Sequence, residues 1–135
     1  MLELYSARYT DMDVEAVDEA YRMLRQCSHL GRALKRFFDF HGTTSTRFMA
    51  MIVIDLAAEQ GGVLPGDVAG QLDVSQSVAT EAINALVRRG LLATVSLDNT
   101  RSRKVALTTS GQKMLAEQLV EYFSLMANFM HRNSD

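Results

Sequence analysis

Six short polar side chains fall together in one stretch: Ser75, Gln76, Ser77, Thr80, Glu81 and Asn84. An Asn or Gln amide can bond bidentately to an adenine edge, and a carboxylate can accept from a cytosine amino group. A serine at a helix N-terminus can hold a phosphate, because the unpaired backbone N–H groups there favour an anion. Shortly after come three cations in four residues, Arg101, Arg103 and Lys104, on a polar turn. Guanidinium and ammonium groups on such a turn suit phosphates and a narrow minor groove. A solvated helix face and a solvated hairpin would have the same composition. The adjacency of the two sets is what gives them a common purpose.

Other reactive types are sparse. Cys27 is the one cysteine, so an internal disulfide framework is excluded. Arg25 is near it in sequence, yet no activating partner is evident; a small buried hydrophobe and an oxidant sensor are both readings of such a residue. Cys27, His29 and His41 match no compact ligand spacing, so no metal site and no cofactor are expected. No phosphate loop or nucleophile motif is present, and no enzyme is expected. Phe37, Phe38, Phe40, Phe48 and Met51 suit core packing first and an apolar ligand pocket second.

The elements that must position the polar stretch lie within residues 67–113. Pro65 suits the first turn of a short helix over 65–72. Asp73 and Val74 make a turn, and Ser75 caps a second helix over 76–89 that Gly90 ends. In that helix Val78, Ala82, Ile83 and Leu86 are predicted to face inward, leaving the polar set outward. Residues 91–97 and 103–107 read as the strands of a hairpin. Upstream, Val14, Val17, Tyr21 and Leu24 recur at helical spacing in a long helix from about Asp13 to Asp39. Phe48, Met51, Ile52, Leu56 and Ala57 predict a buried helix reaching about Gln60. Downstream, Leu115, Leu119, Tyr122, Met126 and Phe129 alternate at four and three residues, a helix-pairing seam. Packing within one chain and pairing with a second copy are both open. The width of the stripe, with Phe123 and Met130 beside it, favours a second copy.

With 135 residues and 47% hydrophobic content, the sequence has the make-up of one globular domain. No apolar run is long enough to span a bilayer; residues 48–58 are too few and include Asp55. The start has no signal-peptide pattern, so a cytoplasmic protein without membrane contact is expected. The net charge of −2 opposes nucleic-acid binding mildly. Its distribution softens that, since within 67–113 six Lys/Arg face four Asp/Glu.

This order of elements resembles the MarR family of bacterial transcription regulators. The run Leu86-Val-Arg-Arg-Gly-Leu-Leu92 and the turn at Arg101, followed by Leu107-Thr-Thr-Ser-Gly111, carry the resemblance. It covers about Asp13 onward. It implies a mainly α fold with a small β-hairpin wing (α+β), a winged helix-turn-helix at 43–108. Residues 1–42 and 109–135 would then be dimerisation helices, with Val14, Val17, Tyr21, Leu115, Leu119, Tyr122, Met126 and Phe129 on the seam. The partners implied are double-stranded DNA with a pseudo-palindromic operator, a second copy as homodimer, and a small aromatic or carboxylate effector that releases a repressor. Arg101 matches the family's wing-tip arginine. Two departures stand out. Asn99 replaces the usual acid two residues before that arginine, and Glu81 stands where a base is common. Glu81 either reads a cytosine or repels phosphate. The bare helix keeps alternatives open: a winged-helix protein–protein module, an antirepressor-like partner with weak DNA affinity, or a regulator switched by oxidation of Cys27.

Overall fold

The computed structural model describes residues 2–95 and 103–132. A short helix α1 (Leu2–Arg8) precedes the long α2 (Val14–Phe40). Asp13 caps α2 by accepting from the Ala16 N–H at 3.1 Å, and its chain turns off at Gly42, where φ is +66°. Thr44 caps α3 (Ser45–Leu56) in the same way, through the Arg47 N–H. A single 3-10 turn over Ala58–Gln60 follows, and Gly61 and Gly62 both take positive φ. Pro65 opens α4 (Pro65–Leu72), Asp73 turns through the left-handed region, and Ser75 caps α5 (Gln76–Arg88). Strands β1 (Leu92–Val95) and β2 (Lys104–Leu107) pair antiparallel, Leu92 opposite Leu107 and Val95 opposite Lys104. Val63 adds a third rung: its N–H and carbonyl bond to those of Val105 at 3.0 and 2.9 Å. The last element is α6 (Thr109–Arg132).

Helix α3 is the hub. It touches α2, α4, α5, β2 and α6, and its Phe48, Ala50, Met51, Val53 and Ile54 are buried. Phe37 and Phe38, on the last turn of α2, close over Phe48, and Tyr122 of α6 completes the cluster at 4.9 Å from the Phe48 ring. Below it Val68, Ile83, Leu86, Leu92 and Leu115 carry the core through to the hairpin. Each of these large side chains contributes about 2–5 kcal/mol against truncation to alanine.

Three sequence expectations change. Leu56, read as inward, is 78% exposed; the buried face of α3 turns instead through Val53, Ile54 and Ala57. Val78 is 41% exposed, and Ala79 takes the interior place beside Ala82, Ala85, Ile83 and Leu86. Three alanines let α5 lie close against α3 and α4, and the β-branched residue is left at the flank. The α6 seam also divides. Leu115 is only 1% exposed and belongs to the chain's own core. Leu119 and Tyr122 pack against that core too, Tyr122 on the aromatic end of α2.

Candidate nucleic-acid interface

The turn into α5 is built by Asp73 at φ 55°, ψ 47°. Aspartate tolerates this left-handed conformation better than most residues, because its short side chain bonds locally. The Ser75 hydroxyl then accepts from the Val78 N–H at 3.2 Å and sits 3.4 Å from the Ser77 hydroxyl. Gln76, Ser77, Glu81 and Asn84 are exposed and Thr80 is half-buried, so the polar set does face out as expected. Ser77, Glu81 and Asn84 recur at i, i+4 and i+7, and the next place on that line is Arg88, also exposed. The outward stripe therefore ends in a cation that the sequence reading left aside. Its spacing from Asn84 is the signal that would have found it.

Arg89 is spent differently. Its Nη1 donates to the Gly42 carbonyl at 2.9 Å, which ties the end of α5 to the corner after α2. Beside that tie, His41 Nε2 and Glu121 Oε2 are 2.9 Å apart, linking the same corner to α6. The His41 ring also lies edge-on to Phe37, 4.7 Å between centroids.

The hairpin is held to α5 by Thr108. Its hydroxyl donates to the Gly90 carbonyl at 2.6 Å and accepts from the Gly111 N–H at 3.0 Å, capping α6. Its own N–H bonds to the Leu91 carbonyl at 3.1 Å. Gly111 is there because nothing larger fits: a Cβ would overlap the Leu91 carbonyl oxygen. One threonine thus fixes where the strands leave α5. Arg103 is exposed and Lys104 half-buried on β2. Arg101, with Asn99, lies outside the described residues.

Of the expected seam residues, Val14 and Val17 are half-buried and Tyr21 exposed, while Met126 and Phe129 are half-buried. No residue of 14–36 is buried. The large apolar side chains most exposed on α6 are Val120, Phe123 and Met130 rather than the expected Leu115 and Leu119. Cys27 is exposed, which removes the reading of a buried small hydrophobe within the single chain. Among the described residues no cluster of His, Cys, Asp and Glu is arranged to hold a metal ion, and no helix is long and apolar enough to cross a membrane.

A Ser-capped helix with a polar outward stripe, a preceding short helix and a paired hairpin define a winged helix-turn-helix. Solved structures place it among MarR-type folds. A MarR family protein from Bacillus stearothermophilus superposes with a TM-score of 0.68 at 21% identity, over 88% of this chain and 82% of that one. A mutant of MepR from S. aureus gives 0.72 at 18% identity, over 85% and 82%. A second MepR mutant, bound to an oligodeoxyribonucleotide, gives 0.65 at 21% identity, over 86% and 82%. At these identities the likeness establishes the shared fold. No protein-family model matches the sequence, and no curated protein gives a significant match.

Proposed function

We propose that this chain is a sequence-specific DNA-binding transcriptional regulator of the MarR type. In this reading it is a homodimeric repressor on a pseudo-palindromic operator, released by a small aromatic or carboxylate effector. The observation that carries the reading is the stripe Ser77, Glu81, Asn84 and Arg88 on a Ser75-capped helix beside the hairpin. Gln76, Ser77, Thr80, Glu81 and Asn84 would meet base edges, and Ser75 a phosphate. Arg101, Arg103 and Lys104 would meet phosphates and the minor groove.

Dimerisation is supported by exposed large apolar side chains: Leu4, Tyr5, Met23 and Leu24 on α1 and α2, Val120, Phe123 and Met130 on α6. Gly31 in mid-α2 has open space where a Cβ would stand, room for a second helix to cross closely. An effector site is supported by an open concavity of about 550 Å³ between α2 and α6, with Arg36, Arg132 and Glu121 beside Phe37, Phe40 and Phe129. Cations next to aromatic walls suit an aromatic carboxylate, and the volume lies within the usual range for small ligands.

The test is selection on random double-stranded DNA. Enrichment of an inverted repeat with half-site centres roughly 10 base pairs apart is the expected result. The competing reading, a winged-helix module that binds protein and little DNA, draws on the absence of any Lys or Arg from Gln76 to Val87. It prevails if selection returns no enriched sequence and the purified protein leaves DNA unshifted at low salt.

A further inference from the structure

The corner between α2 and α3 is made by His41 and Gly42, and each is tied to a different helix. The N–H groups of His41, Gly42 and Thr43 bond back to the carbonyls of Phe37, Asp39 and Phe38, at 3.2, 3.1 and 2.9 Å. With Gly42 at φ +66° this is a Schellman closure, which stiffens the corner. The Gly42 carbonyl accepts from Arg89, the residue that caps the C-terminal end of α5. His41 Nε2 lies 2.9 Å from Glu121 Oε2; an ionised carboxylate can only accept, so the imidazole donates. The imidazole is further held edge-on by Phe37 and Phe40, with centroids at 4.7 and 5.1 Å.

Helix α6 leads from this corner back to the end of α5. Its cap, Thr108, donates its hydroxyl to the Gly90 carbonyl and its N–H to the Leu91 carbonyl. The bonds therefore form a closed circuit. From Arg89 they pass to Gly42, through His41 to Glu121, along about 18 Å of α6 to Thr108, and back to Gly90. Helix α5 otherwise packs on α3, α4 and β1. Its first turn is fixed by the Asp73 turn from α4, and its last turn, which carries Arg88, is where the circuit closes.

We propose that His41 and Arg89 are positioning residues: the circuit fixes the end of α5, and with it Arg88 and Asn84, against the frame of α2 and α6. The inference rests on the reading of α5 as the DNA-facing helix. Groups that meet a ligand must be held to within about 0.5 Å by the residues behind them. Phe37, Phe40 and Glu121, the three groups that hold His41, also line the concavity between α2 and α6. A change in the spacing of those two helices therefore reaches α5 through His41.

The experiment compares wild type with His41→Leu, Arg89→Met and the double variant, each well below its melting transition, on the inverted repeat enriched from random DNA. His41→Leu keeps an apolar side chain between the two phenylalanines and removes the donor; His41→Gln restores a donor at similar reach. Each single variant should bind the repeat about fivefold more weakly, the equivalent of one hydrogen bond. The double variant should lose no more than that, because either break opens the same circuit, whereas independent bonds would lose about twenty-five-fold. The salt slope should keep its wild-type value, since no cation leaves a phosphate, and His41→Gln should bind within about twofold of wild type. Hydrogen exchange on the free protein is the second readout. His41→Leu should speed the amides of Arg89, Gly90 and Leu91 about fivefold and leave those of Ala79 and Ala82 unchanged. Losses that multiply in the double variant, a salt slope that falls with Arg89→Met, or exchange that rises equally along α5 would each overturn the proposal. If the wild-type chain binds no DNA, the DNA-binding reading fails, and the exchange pattern alone decides whether the circuit holds α5.

Discussion

Gly111→Ala is the substitution on which the account of the hairpin stands most directly. Gly111 lies in the first turn of α6, under the cap that Thr108 makes. An added Cβ would overlap the Leu91 carbonyl oxygen, stand 3.0 Å from its carbon and 3.3 Å from a Leu107 methyl. The offending atoms are backbone, so no rotamer change relieves them. The first turn of α6 must move away from β1 instead. That movement breaks the Thr108 bonds to Gly90 and Leu91, worth about 1 kcal/mol each. It loosens the cap, about 1 kcal/mol more, and opens space beside Leu107 and Leu115 at a further cost of about 1–2 kcal/mol. Alanine returns about 1 kcal/mol through helix propensity. The net loss is about 3–4 kcal/mol, a fall in melting temperature of roughly 10 °C or more for a chain of this size. Urea unfolding followed by circular dichroism measures it. A variant within about 0.5 kcal/mol of wild type would refute the argument that the motif at 107–111 is a steric joint.

Four further outcomes follow from the fold and the sequence. Arg103→Ala should flatten the salt dependence of operator binding, lowering the slope of log K against log salt by roughly 2 for a homodimer that loses two phosphate contacts; Arg101→Ala should do the same, and an unchanged slope removes the wing from the interface. Glu81→Gln on the selected operator should lose about 1–3 kcal/mol of discrimination at one C·G pair if Glu81 reads a base; a uniform gain on all sequences would mean that it only repels phosphate. Arg89→Met should cost about 1–2 kcal/mol of stability through the lost bond to Gly42, whereas Arg88→Met should leave the melting curve in place and weaken DNA binding; the reverse pattern exchanges their roles. Leu115→Ala should destabilise by about 2–5 kcal/mol, whereas Phe123→Lys should keep the fold and shift the sedimentation coefficient to that of a monomer; a Phe123→Lys dimer would move the interface elsewhere.

What the sequence made legible was punctuation. Ser75 is a cap where the spacing placed it, Pro65 opens α4, and Gly90 turns the chain after α5. The 107–111 run could be matched to a pattern, but its reason, a carbonyl pressed against the start of α6, exists only in three dimensions. Faces were harder. Periodicity gives a stripe without saying which helix covers it, so Leu115 and Tyr122 were legible as a seam but not as the chain's own core. Alanines carry little weight in such patterns, and α5 is seated on three of them. Arg88 and Arg89 are adjacent and chemically alike. Only the fold separates them, because Gly42 comes within reach of one and Arg88 continues the line of Glu81 and Asn84.

That separation bears on how a bare helix can grip DNA at all. With Arg89 committed to Gly42, α5 offers one free cation, Arg88, at its far end. The wing offers three more by sequence, Arg101, Arg103 and Lys104. A homodimer in which only the wing cations meet phosphate would neutralise about six, giving a salt slope near −5 and a loss of about a thousandfold in affinity between 50 and 200 mM salt. Glu81 subtracts from attraction to phosphate everywhere, but from a correct site only if no cytosine amino group meets it. Weak attraction from the helix and a penalty for wrong sequences act in the same direction: they lower non-specific binding more than specific binding. On the proposed reading, a helix with a single outward carboxylate, Glu81, beside a basic wing would act as a device for selectivity, and its signature is measurable. The ratio of operator to random-DNA affinity should fall on Glu81→Gln while the salt slope stays constant, because the substitution removes no cation–phosphate contact.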